Sequence, residues 1–503
     1  MSQTARGTIV APIALISGLA LVLVGGAVAI DGGLSLIADP GLWLAGLQGE
    51  GALDRVANAA EVIAGVLAIA ITVAAIVVEL AANRYTSRIT QLFVRNTTNR
   101  VVLSLFVLTT IVCLWTSAAP LEMLEAARVT SALAMAMATL CLLALLPYFM
   151  FLFRFLEPRN IIARIGEQAL EAARNGQRPG MLEAIEELED LARVAHENHD
   201  RSIALASVDA LADVLRGYLP LREELPASWF KIDLELARDP DFVALAPSTV
   251  RQLEEQRIWL EAKIFRQFLS LFEAALGEDR DLGNLVALDT RSIATEHAAE
   301  NADLLDLAIR FFNSYLRVAI RTGDIRAAYY VFDQYRAVAE DALQRGDRER
   351  LRRIATHLHE YGDLACDLGH DFLLEVIAWD IATLIEQAAT SLTDEVDQLL
   401  DRFVSVDRKD ERREQEERQG GVRRIQIQLA TLFLLQNDEA RALRIAEDMR
   451  SENPEQLAAI RKALEDESRE QYWEFTDRGV NFSYLPPDRR AQLPRFFDLL
   501  AAL

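Results

Sequence analysis

The sequence predicts an all-α membrane protein: four transmembrane helices followed by a large cytoplasmic α-helical domain built from hairpins or repeats. Three observations predict it. Residues 1–156 carry four apolar runs, each long enough to cross a hydrocarbon core of roughly 30 Å. Arginine is concentrated in two of the connecting loops. From residue 157 onward apolar and charged residues alternate with a helical period, and no segment has the period of a strand.

The spans are expected at about 8–30, 56–82, 101–119 and 129–155. The first run is about twice as long as the apolar core of a secretory signal, so it reads as a retained anchor. Pro147 predicts a kink in the fourth. Arg84, Arg88, Arg95 and Arg100 lie between spans two and three, and Arg154, Arg159 and Arg164 follow span four. The other two loops are acidic on balance, with Asp31, Asp39, Glu50 and Asp54 against Arg55, then Glu122 and Glu125 against Arg128. The positive-inside rule therefore puts both termini in the cytoplasm of a bacterial inner membrane. Tyr148, Phe149, Phe151, Phe153 and Phe155 are expected to form an aromatic belt at the inner interface.

The second span begins and ends on a carboxylate. Eighteen residues make about five turns, so Glu61 and Glu79 share a face with Gly65, Ala68, Thr72 and Ala75. The remaining surface is bulky, with Ile63, Val66, Leu67 and Ile69 among its residues. Two uses of the thin face compete. Small residues let helices pack closely, with the end glutamates at headgroup level. Alternatively, several copies of the helix ring an axis, and Glu61, Gly65, Ala68, Thr72, Ala75 and Glu79 line a cation-favouring pore. After this span, Asn83 to Arg100 reads either as an interfacial helix or as a cytoplasmic extension of the span.

The stretch Ile71–Val107 resembles a family of predicted bacterial membrane proteins of unknown function. The residues that carry the resemblance are Ala81 and Ala82, then Tyr85-Thr86-Ser87-Arg88, then Leu92-Phe93-Val94-Arg95-Asn96. The chain departs from the family pattern in lacking a Pro before Arg88 and in having Asn96 where Asp is usual. "FLFRFLEP" stands where a His pair is common, and the family's small β-rich segment is missing. The resemblance covers about residues 55–165. It implies the four-span layout and no activity.

Residues 157–406 read as one helical domain, 407–421 as a charged linker and 422–503 as a C-terminal hairpin with a tail. A loop rich in Pro, Ala and Asp is expected between Pro220 and Pro247, then one long helix from the Ser248 N-cap to Leu276. Helices of about 20 residues follow, ending at Gly323, Gly346 and Gly369 as C-terminal caps. Residues 427–454 resemble a tetratricopeptide unit, with Leu429, Ala430, Phe433, Ala442, Ala446 and Pro454 at its characteristic positions and Met449 replacing a usual Ala. The apolar tail Phe496–Leu503 is expected to dock.

The chain carries a net charge of −23, which excludes a phosphate backbone as partner. The three cysteines, Cys113, Cys141 and Cys366, have no disulfide or zinc spacing and read as buried thiols. There is no phosphate-binding loop, dinucleotide fingerprint or nucleophile elbow. His196 and His199, in "HENHD", come nearest to a metal pair, but a polar helix–helix turn accounts for them. His357 and His359 fall on different helix faces. The expectation is a non-enzymatic protein with no metal or cofactor. Its partners are the lipid bilayer, further copies of itself and a cytoplasmic protein. The first functional reading is a homo-oligomeric channel whose second span lines the axis. The alternative is a membrane-anchored scaffold that does not conduct.

Overall fold

The computed structural model describes residues 18–30, 50–84, 93–94, 96–118, 128–155, 157–234, 236–406, 420–471 and 477–503. Residues 8–17 of the first span, the Tyr85–Arg88 segment, Arg95 and linker residues 407–419 lie outside the described residues. All regular structure among the described residues is helical. The chain divides into two compact units, Met1–Arg164 and Ile165–Leu503.

The first unit contains Gly18–Ile30 (α1), Glu50–Arg84 (α2), Thr97–Ser117 (α3) and Arg128–Phe155 (α4). Asp54–Leu80, Thr97–Ser117 and Val129–Phe155 are long and apolar enough to cross a membrane. Only 22, 33 and 28% of their apolar windows is buried within the chain. Most of their apolar surface therefore faces outward, as it does on lipid-facing helices and not on soluble ones. What the helices bury includes several small side chains. Ala20 of α1, Ala60 of α2, Cys113 of α3 and Ala134 of α4 meet in one cluster, and Ile63, Phe106, Ala138 and Cys141 form the next. Small side chains at these crossings allow the close approach on which helix packing in lipid depends. Hydroxyls inside the bundle are satisfied locally: Thr109 donates to the Leu105 carbonyl at 2.8 Å and accepts from the Cys141 thiol at 3.1 Å. The helix α4 continues through Pro147.

Asn96 caps α3, its side chain accepting from the backbone N–H of Thr98 and Asn99. Asn and Asp are equivalent N-caps, so the departure from the family's usual Asp keeps the same function. The expected aromatic belt is only partly a belt. Tyr148 and Phe155 are buried, and Phe155 meets Phe93 edge-on at 5.8 Å and carries the Arg164 guanidinium over its face at 4.4 Å. Phe153 is the ring that stands well exposed. The tyrosine turns inward because its hydroxyl finds a buried acceptor there, the Asn99 side chain.

The second unit is a two-layer stack of helices. Pro158–Arg174 (α5) contains the division between the units. Then come Arg178–Glu197 (α6), Arg201–Tyr218 (α7), Pro247–Glu255 (α8), Trp259–Ala275 (α9), Arg280–Glu296 (α10), Ala302–Thr322 (α11), Ile325–Gln344 (α12), Arg348–Asp367 (α13), Asp371–Ser391 (α14), Thr393–Val404 (α15), Gly420–Leu435 (α16) and Glu439–Asp448 (α17). One layer is α6, α9, α11, α13, α15 and α17, each against the next; the other is α7, α10, α12, α14 and α16. The tetratricopeptide-like hairpin is α16–α17, with Leu429, Ala430, Phe433, Ala442, Ala446 and Met449 all buried. Pro454–Asp466 (α18), Pro487–Arg490 (α19) and Leu493–Ala501 (α20) close this end, and Leu493 and Phe496 dock on it.

One junction recurs along the stack. Gly323, Gly346 and Gly369 have φ of 75°, 73° and 77°, which ends a helix in the left-handed region open to glycine. The next residue then donates its N–H back to the preceding helix, Asp324 to Ala319 at 3.0 Å and Asp347 to Ala342 at 2.8 Å. Asp324 and Asp347 also cap the following helices. The long helix expected from Ser248 is a correction. It is two helices, α8 and α9, because Arg257 takes φ 58° and Ile258 donates back to the Leu253 carbonyl at 3.0 Å. Its N-cap is Ala246 with Pro247 in the first turn, not Ser248. The same turn is made without a glycine, so composition gives no sign of it.

Candidate functional site

The second span α2 has two faces, and the chain uses one of them. Val56, Ala60, Ile63, Ala70, Ala74 and Val78 are buried against the other helices. Glu61, Gly65, Ala68, Thr72, Ala75 and Glu79 are all exposed. At 1.5 Å per residue the two carboxylates stand about 27 Å apart, close to the hydrocarbon thickness. A Cβ added at Gly65 meets nothing within 4 Å. Packing within the chain therefore does not explain the thin face: Ala60, Ala70 and Ala74 are the small residues that serve it. The Thr72 hydroxyl donates to the Ala68 carbonyl at 2.8 Å, so the one polar group between the glutamates is satisfied by its own helix. Arg100 is exposed at the start of α3; the helix α2 ends on Arg84, and Arg88 and Arg95 lie outside the described residues.

The "HENHD" residues form the recurring helix–helix turn. His199 is the left-handed residue, φ 58°, and Asp200 donates back to Ala195 at 2.8 Å. His196 is buried, with Nε2 3.1 Å from the Ala274 carbonyl, and so joins α6 to the end of α9. Among the described residues no group of three His, Cys, Asp or Glu side chains is placed to hold a metal. His357 and His359 point apart: His357 Nδ1 is 2.8 Å from the Tyr335 hydroxyl, and His359 Nε2 is 3.1 Å from the Ser405 carbonyl. His357 helps line a cavity of about 320 Å³ with Gln252, Asp306, Arg310 and Arg353. Burial lowers its pKa and favours the neutral ring. Arg350 and Arg353 already hold Asp306, so this cavity offers hydrogen bonds more than net charge.

Two buried groups escaped sequence reading. Lys263, 1% exposed, donates to Asp239 at 2.7 Å, Asp241 at 2.9 Å and Glu186 at 3.2 Å. Burial alone would lower its pKa; the Asp239 and Asp241 carboxylates outweigh that and raise it. This contact fixes the loop before α8. Glu261, two residues earlier and so on the opposite side of α9, is fully buried, and neither of its oxygens accepts a hydrogen bond from another described residue. Arg222 Nη1 lies 3.5 Å away. The signal available in the sequence was the isolated Glu261 and Lys263 within "IWLEAKIF", charged residues set in an apolar run.

Apolar spans with outward-facing hydrophobic surface define the class: a helical membrane protein carrying a stack of helices. Residues 6–216 match the family model described as "Predicted membrane protein (DUF2254)". The match runs past the spans through nearly all of α7, so the family segment includes the first hairpin of the stack. No curated protein matches the chain.

Proposed function

We propose that the chain is a four-span protein of the bacterial inner membrane, both termini cytoplasmic, whose helical stack is a non-enzymatic scaffold for a protein partner. The two-layer stack carries this reading. Stacked hairpins expose long continuous surfaces, which is how helical repeat proteins bind their partners. In this account α1, Gly18–Ile30, belongs to the first of the four spans. The arginine-rich loops hold the stack on the cytoplasmic side. Photocrosslinkers at exposed Leu368 and Phe372, beside the α13–α14 turn, test the scaffold in intact cells. A discrete adduct with a second protein supports it; adducts with the chain itself alone contradict it.

The outward thin face of α2 favours a second reading, a homo-oligomeric pore lined by Glu61, Gly65, Ala68, Thr72, Ala75 and Glu79. It ranks second because carbon surface predominates between the glutamates and Thr72 is satisfied by its own helix. Planar-bilayer recordings of wild type, Glu61→Gln and Glu79→Gln test it. A cation conductance that falls in both variants supports a pore, and silence in wild type removes it.

A further inference from the structure

Residues 477–486 have no regular structure, yet Asn481, Phe482 and Leu485 are buried. The segment crosses the layer formed by α12, α14 and α16, and three kinds of contact hold it there. Arg478 enters a pocket between α12 and α14. Its Nη1 donates to Asp380 Oδ1 at 2.6 Å and its Nη2 to the Tyr329 carbonyl at 2.7 Å, with the guanidinium 4.4 Å from the centre of the Tyr329 ring. Four residues on, the Phe482 ring packs on Trp379 of α14 with centroids 5.0 Å apart. Between and beyond them, the Gln428 side chain of α16 donates to the Phe482 carbonyl at 2.9 Å and to the Tyr484 carbonyl at 3.4 Å.

The segment turns at Asn481–Tyr484, where the Tyr484 N–H donates to the Asn481 carbonyl at 3.0 Å, so these contacts suit a short turn-forming peptide. A side-chain amide on main-chain carbonyls holds backbone whatever its sequence. A cation pocket and an aromatic platform then select two side chains. The pocket is acidic without its occupant: Asp333, Glu340 and Asp380 face Arg336 as their one cation on α12 and α14. Asp380 is fully buried, and leaving a buried carboxylate under-paired is costly, so a second positive charge beside Arg336 stabilises the site. A guanidinium suits it better than an ammonium, because one planar fork reaches the carboxylate and the carbonyl together and stacks on the tyrosine ring.

We propose that the α12–α14–α16 surface is a binding site for a short turn-forming peptide carrying Arg and, four residues later, an aromatic residue. Residues 478–482 are its resident occupant, displaced when a partner's segment takes their place. The proposal rests on the scaffold reading and names its partner's chemistry. A tethered occupant competes at a millimolar effective concentration, which keeps the site closed to weak or non-specific peptides.

The probe is a fluorescent peptide of residues 477–485, added to the full-length protein in nanodiscs. Binding is read by polarisation and folding by thermal melting. Arg478→Ala, which weakens the resident segment, is expected to bind the peptide at least tenfold more tightly than wild type does, and the peptide is expected to raise its melting temperature. The double variant Arg478→Ala/Asp380→Asn is expected to lose that gain, and a peptide with Lys for Arg to bind more weakly. An Arg478→Ala protein that melts like wild type and ignores the peptide overturns the proposal. So does one that fails to fold and is not rescued by peptide, since the segment is then a fixed part of the fold. Either failure leaves the scaffold reading to the crosslinking at Leu368 and Phe372.

Discussion

The Tyr148 hydroxyl donates a 2.7 Å hydrogen bond to the Asn99 side-chain oxygen, joining α4 to the first turn of α3 inside the membrane unit. Asn99 also donates to the Phe93 carbonyl at 3.3 Å, so one buried amide serves two partners. Hydrogen bonds between membrane helices are worth on average about 0.6 kcal/mol and at most about 1.7. Tyr148→Phe is expected to destabilise the unit by about 1 kcal/mol. Asn99→Ala is expected to cost more, because it also strips the Phe93 carbonyl of its donor. Equilibrium unfolding in mixed micelles measures both, and the double variant is expected to cost less than their sum.

The division of α2 into a used and an unused face makes a paired prediction. Ala74 is 3% exposed, and Ala74→Leu overpacks the bundle at a cost of about 1–3 kcal/mol. Gly65→Leu enters open space and is expected to change the stability of the single chain by less than about 0.5 kcal/mol. Unfolding of the two variants in the same micelles checks the contrast. A pore assembled through this face would instead lose subunits in Gly65→Leu, visible as a lower mass in nanodiscs.

Glu261 makes stability depend on pH. Burial raises its pKa from 4.5 to about 7, against the smaller opposing effect of Arg222. The folded chain therefore holds this proton over an interval in which the unfolded chain has released it. Its contribution to stability is complete below about 4.5, falls as pH rises through the interval and is level above about 7. The total is about 3 kcal/mol at 1.36 kcal/mol per unit. Glu261→Gln is expected to remove this fall, so the gap between variant and wild type widens in the variant's favour from pH 5 to pH 7.5. Chemical denaturation at a series of pH values reads it.

Lys263→Met leaves Asp239 and Asp241 facing each other without their shared ammonium. Breaking a buried pair on one side costs about 3–5 kcal/mol. The expected result is a destabilised stack with faster hydrogen exchange concentrated in residues 231–246. A variant that exchanges like wild type there would show that the cluster does not fix the loop.

Much of this was legible in the sequence where one residue decides one conformation. Gly323, Gly346 and Gly369 announced their turns because few other residues tolerate a positive φ, and the apolar lengths of 56–82, 101–119 and 129–155 announced helices of membrane length. Arg257 and His199 make the same turn without glycine, so the break between α8 and α9 left no trace in composition. The faces of α2 were visible as thin and thick, but which one the chain buries depends on where Phe106, Cys113 and Ala134 arrive from other helices. The Arg478 pocket was invisible for a related reason: Asp380 lies 98 residues away in sequence and Tyr329 lies 149 away. No local pattern couples positions at that separation.

The most direct measurement is in-cell photocrosslinking from Leu368 and Phe372 of the full-length protein, paired with bilayer recordings of the purified chain. The account predicts a discrete adduct with a second protein and no conductance. Adducts with the chain itself alone, together with a cation current that falls in Glu61→Gln and Glu79→Gln, would contradict it and make α2 the lining of a pore.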